Sequence, residues 1–161
     1  MSDNQGFFKL TGLVRLQIHT PDGQLRDDTG WIMNTITNSG KHMVFRLLAT
    51  VSSKPKKFGW LAIGSSTTAV TAADRLLSSE VKGLGLGRAL ATITETKTTV
   101  AMDSVNFYNQ WTASGARTIN EIGLFNTSTQ NAVTMLGRKL TGTKTLANGE
   151  TLTANYKIVI S

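Results

Sequence analysis

The chain has no cysteine, only two prolines and two histidines, and no apolar run near the length of about 18 residues that a membrane-spanning helix needs. Without cysteine there is no disulfide framework and no thiolate metal site, and His19 and His42 fall in different predicted elements with no clustered acids beside them. The opening residues, MSDNQGFFKLTG, carry no basic segment followed by an apolar one, so neither signal-directed export nor a membrane span is expected. Acids are scarce as well. Ten Asp and Glu face seventeen Lys and Arg, which leaves a net charge of +7.

That excess suits an acidic partner, yet the basic residues are scattered singly except for Lys54, Lys56 and Lys57 in SSKPKKFG. No aromatic stacking pattern accompanies the cluster, so it reads first as a solvated loop, next as a contact to an acidic protein surface, and last as a nucleic-acid contact. With 161 residues and 40% apolar content the chain is long and apolar enough for one globular domain. The expected division is an N-terminal arm over residues 1–8 and a single domain over 9–161.

Threonine is what the chain has in quantity: 24 residues, many on the polar phase of alternating segments, where a β-branched side chain suits a pleated surface. Residues 9–19 place Leu10, Val14, Leu16 and Ile18 on one phase, with Leu13 out of phase, and Pro21-Asp22-Gly23 then turns the chain into a second strand through Gln24–Ile32. From Gly87 onward GRALATITET, KTTVAMDSVNFYNQW, RTINEIGLFN, NAVTMLGRKLTG and GETLTANYKIVIS each read as strands. In the last, Leu152, Ala154, Tyr156, Ile158 and Ile160 alternate with polar residues, after an Asn148-Gly149 turn. NSGKHMVFRLLATV is the one good helix, capped by Asn38 or Ser39, with Met43, Val44, Leu47 and Leu48 on its apolar stripe. The fold class is mainly β: an antiparallel β-sandwich or jelly-roll with one or two short helices.

No catalytic set emerges. GLGLGR lacks the third glycine of a dinucleotide loop and leads into a strand, and IGSSTT has no lysine to meet a terminal phosphate. Asp27 and Asp28 are adjacent and point to opposite faces of a strand. Glu121, in TINEIGLF, would need Arg88 or Arg138 as a structural partner if its phase is buried. The histidines read as solvent-facing polar positions, and Trp31, Trp60 and Trp111 as core or interface anchors. The expectation is a protein that is not an enzyme and needs no cofactor or metal.

The order of motifs carries more. NTITNSGKHMVFRLLA is followed by WLAIGSSTTAVTAADRLLSSEV, GRALAT, TINEIGLFN, MLGRKLT and LANGETLTANYKIVI. This series resembles tailed-bacteriophage virion proteins in which an Asn-x-Ile-Thr-x-x-Gly helix start precedes a Gly-Ser/Thr-rich segment and an Asp-x-x-Leu-x-x-Glu stretch. An Ile-x-Glu-Ile/Val-Gly-Leu-Phe strand and a C-terminal Gly-Glu/Asp-Thr-Leu strand complete the pattern. The likeness covers residues 30–161, and Ser65-Ser66 stand where a second glycine is usual. It implies a capsid decoration (cement) protein on the head surface, made in the host cytoplasm and assembled as a symmetric oligomer, with a trimer favoured, on the major capsid protein. The alternative is a tail, collar or fibre-base protein docked to another virion protein. Neither nucleic acid nor membrane is an expected partner. On this view Asp74–Val81 forms a short helix-like turn that tucks Leu76, Leu77 and Val81 over one end of the sandwich, and Phe7, Phe8, Lys54, Lys56 and Lys57 form the contact with a neighbour.

Overall fold

A computed structural model describes residues 9–49, 56–130 and 134–161. Two antiparallel sheets face each other. The first runs in the order β2 (Leu25–Asp28), β1 (Leu10–His19), β11 (Thr151–Ile160), β8 (Ser104–Thr112), β7 (Thr92–Thr96), with β3 (Ile32–Met33) also paired to β1. The second runs β4 (Thr35–Ile36), β10 (Met135–Leu146), β9 (Arg117–Phe125), β5 (Trp60–Gly64), β6 (Ala89–Leu90). The predicted antiparallel β-sandwich is therefore the architecture, with α1 (Asn38–Leu48) as its helix among the described residues.

Alternation explains the sandwich. In β1, Val14, Leu16 and Ile18 are buried and pair with Tyr156, Ala154 and Leu152 of β11, which pair in turn with Phe107, Asn109 and Trp111 of β8. Leu61, Ile63, Ile122 and Leu124 come from the facing sheet into the same core cluster. Each buried Leu or Ile contributes about 1.5–3 kcal/mol on removal from water. Pro21 and Asp22 make the expected turn, closed by a hydrogen bond from the Gly23 N–H to the Thr20 carbonyl, with Gly23 at φ 87°.

Three expectations change. The helix is capped by Thr37, whose extended backbone precedes the first helical residue and whose hydroxyl accepts from the Gly40 N–H at 3.0 Å. Asn38 and Ser39 are already helical and so sit one and two positions too late to cap. The apolar stripe is shorter than predicted: Gly40 and Met43 are buried and Val44 is partly buried, while Leu47 and Leu48 face solvent with Phe45. Third, KTTVAMD is not strand. It forms a loop ahead of β8, because Asp103 accepts from the N–H groups of Thr98, Thr99 and Val100 and from the Thr98 hydroxyl, drawing the backbone away from a ladder.

Gly40 lies directly against β10: a Cβ there would stand 2.3 Å from the Leu136 carbonyl oxygen and 2.7 Å from its Cα. Backbone cannot yield as a side-chain tip can, so Gly40→Ala should lower the unfolding free energy by about 1–3 kcal/mol in urea titration. Gly83→Ala, where a Cβ would meet nothing within 4 Å, should stay within about 0.5 kcal/mol of the parent.

Candidate interaction surface

Residues Trp60–Val81 connect two strands, as their small and hydroxylated composition suggests, but they form no helix, and only Val81 of the three expected residues joins the main core. After β5 the chain turns back across the outer face of the second sheet, where Leu77 packs with Ala62, Phe125 and Met135 in a satellite cluster. Leu77 and Val81 are buried as expected and Leu76 only half so. The irregular path is set by acceptors rather than by helical periodicity. Ser65 and Val81 donate backbone N–H groups to Ser79 and Ile63, and the Ser78 and Ser79 N–H groups point at the Glu121 carboxylate, the latter at 2.9 Å.

Glu121 and Arg138 are the centre of this strap. Arg138 is 1% exposed and Glu121 0%, with a guanidinium nitrogen 2.6 Å from the carboxylate. Nε of Arg138 donates to Glu121, with Nη2 close to the same carboxylate oxygen, Nη1 donates to Asp74 at 2.8 Å and to the Ala69 carbonyl, and Nη2 donates to the Thr68 carbonyl. Every nitrogen of the guanidinium therefore donates at least one hydrogen bond. The structural ion pair expected for Glu121 is present, and its partner is Arg138. Arg88 serves a second one. It grips Glu80 through Nε and Nη2, donates Nη1 to the Thr127 and Thr129 carbonyls, and lies 3.8 Å over the Phe125 ring.

Other acids are used in the same way. Asp28 meets Arg15, Asp27 meets Lys144 and Glu150 meets Arg26, so the two adjacent aspartates serve different partners, as their opposite directions require. Six of the ten carboxylates are thus held by cations within the fold. The Arg15 hydrogen bond holds the Asp28 carboxyl down at about 2, against desolvation, and the Arg26 hydrogen bond likewise lowers Glu150. Burial pushes Asp74 and Asp103 up; in Asp74 the Arg138 and Thr71 hydrogen bonds, and in Asp103 those from Thr98, Thr99 and Val100, outweigh it and lower both. Among the described residues no group of three or more His, Asp or Glu is placed to hold a metal ion.

Of the residues predicted to contact a neighbour, Phe7, Phe8 and Lys54 lie outside the described residues. Lys56 and Lys57 are exposed, and the chain after them dives to buried Phe58 and Gly59. Gly59 bonds to Ala91 and sits beside Leu90 and Ile93, which are 61% and 49% exposed. The lysines therefore stand next to an apolar edge where the chain crosses from β6 to β7, and β7 is the outermost strand of its sheet. Sequence reasoning missed this edge because Ile93 lies in an otherwise ordinary alternating strand. It also missed the tip at Val100 and Met102, exposed on the loop that Asp103 ties down, with Met102 in the left-handed region at φ 61°. The Thr-Thr-x-x-x-Asp spacing was the available signal.

Trp111 is in the core and donates to the Gly87 carbonyl, Trp60 is half-buried on the strap side, and Trp31 is exposed under Lys157. His42 is exposed, whereas His19 is half-buried on the outer face of the first sheet. Among the described residues no helix is long and apolar enough to cross a membrane. No protein-family profile, curated protein or solved structure matches this chain.

Removing Arg138 leaves Glu121 charged, buried and unpaired. Arg138→Met should therefore cost about 3–5 kcal/mol of unfolding free energy by denaturant titration. The double variant with Glu121→Gln should recover part of that loss, since no orphaned carboxylate remains.

Proposed function

We propose that this chain is a non-enzymatic phage virion protein that decorates the outside of the head as a symmetric oligomer and reinforces contacts within the shell. The observation that carries this reading is the spatial convergence of the motifs behind the resemblance. Asp74, Leu77 and Glu80 of the Asp-x-x-Leu-x-x-Glu stretch, Arg88 of GRALAT, Glu121 of TINEIGLFN and Arg138 of MLGRKLT all meet in the strap and its two ion-pair centres. Asn34 of the helix-start motif bonds to Tyr156 of the last, and Thr37 and Gly40 seat the helix on Leu136. Motifs spread over more than a hundred positions thus act as one structural set, which favours likeness to a common fold over chance matches.

Such a set supports a scaffold role, because it commits the acids to holding the chain together. The charges left after these pairs are mainly basic, and of the exposed apolar groups Leu90, Ile93, Val100 and Met102 lie on edge strands and a braced loop, while Phe45, Leu47 and Leu48 are exposed on the helix. An acidic protein shell complements the charge, and steering by Lys54, Lys56 and Lys57 would act on the rate of association more than on final affinity. A virion partner is read here as the major capsid protein, approached by the β6–β7 edge with the arm bearing Phe7 and Phe8.

Particles made without the protein should rupture at lower temperature than complete ones, and purified protein should bind back to them. Deleting residues 1–8 should leave a folded protein that is lost from particles. Changing the three lysines to Gln should slow binding and flatten its salt dependence. Equal rupture temperatures with and without the protein, or a copy number of tens rather than hundreds per particle, would contradict decoration of the head.

A further inference from the structure

The outer face of the first sheet has a composition that the core and the ion pairs do not explain. Where β1, β11 and β8 lie side by side, Thr151 stands opposite His19 and Thr112, and Thr153 opposite Gln17 and Gln110. Tyr108 follows one step along the outward phase of β8, opposite Asn155. With Thr20, Pro21 and Gly23 of the adjoining turn, His19, Tyr108, Gln110, Thr151 and Thr153 enclose an open hollow of about 480 Å³. That volume falls in the range of small-ligand sites.

The lining mixes polar groups with apolar surface and contains no Lys, Arg, Asp or Glu, in a chain whose net charge is +7. The Tyr108 hydroxyl donates to Gln110 Oε1 at 3.2 Å, which leaves the amide NH2 group as a donor. His19, Thr151 and Thr153 add an imidazole and two hydroxyls to the lining, with Thr153 buried at its floor. Tyr108 is 37% exposed and supplies the one aromatic wall. Beyond it the face continues in amides: Asn106 donates to Asn155 at 2.9 Å, and its own Oδ1 is buried without a partner.

We infer that this face binds a neutral saccharide. A pyranose offers an apolar C–H face to the electron-rich face of an aromatic ring and a rim of hydroxyls that both donate and accept, which matches one tyrosine surrounded by amides, hydroxyls and an imidazole. A phosphate, a uronic acid or a nucleic-acid backbone would find no cation in the lining. A purely apolar ligand would strip water from Gln110, Thr151 and Thr153 without replacing their hydrogen bonds. The site lies on the sheet face, whereas the proposed shell contact uses the β6–β7 edge, so the two readings stand or fall separately.

The full chain should be applied to an array carrying neutral and acidic oligosaccharides, alongside Tyr108→Ala, Gln110→Ala and Tyr108→Phe. Binding is expected on neutral glycans alone, at least tenfold weaker in Tyr108→Ala and in Gln110→Ala, and largely kept in Tyr108→Phe, where the ring remains. Both alanine changes are at exposed positions, and unaltered thermal melts should show that the fold persists. Amide signals of Thr151, Thr153 and Gly23 should shift when the neutral ligand is titrated in. No glycan bound, binding confined to acidic glycans, or binding indifferent to both alanine variants would overturn the assignment.

Discussion

A buried guanidinium has five donors and tolerates no orphan, and that requirement at Arg138 organises the second half of the molecule. Glu121 on the neighbouring strand takes part of the load. The rest must come from Asp74 and the carbonyls of Thr68 and Ala69, which lie in a segment with no regular structure of its own. The chain between β5 and β6 is therefore drawn over the sheet and fixed there. Gly64 and Gly123 make the closeness possible: a Cβ on Gly64 would stand 2.4 Å from a Glu121 carboxylate oxygen, and one on Gly123 would meet Leu77, Phe125 and Met135.

This arrangement buries both faces of the second sheet, the inner one under β1, β11 and β8 and the outer one under the strap. The first sheet has no such cover, and its outer face remains polar, with Tyr108 and Trp31 partly exposed. The molecule is consequently asymmetric. One face is sealed by ion pairs, one is open and rich in hydroxyls and amides, and one edge carries exposed apolar residues beside Lys56 and Lys57. Function assigned to the open face and to the edge leaves the sealed face as the support that keeps both rigid.

Strands were legible because alternation is local: β1, β9 and β11 could be drawn from residues 9–19, RTINEIGLFN and GETLTANYKIVIS, and the Glu121 ion pair followed from one acid on a buried phase. The remaining features depend on partners far away in sequence. Thr37 rather than Asn38 caps the helix because Gly40 must lie on Leu136, a contact with a strand almost a hundred residues later. Asp74–Val81 reads as two helical turns by spacing, yet the N–H groups of Ser78 and Ser79 are claimed by Glu121. The Thr151–Thr153–Gln110–Tyr108 hollow needs the register of three strands, which no single stretch contains.

The strap's attachment is the claim on which the rest turns, and amide hydrogen exchange at Ser79 tests it most directly. Its N–H is committed to a carboxylate that is itself buried and held by Arg138, so opening strips a charged, buried oxygen of its donor as well as lifting the segment away from Arg138. The account predicts protection at Ser79 close to that of core strand amides such as Ile122, despite the absence of regular structure around it. Exchange at Ser79 as fast as at exposed loop positions such as Ser66 would contradict it.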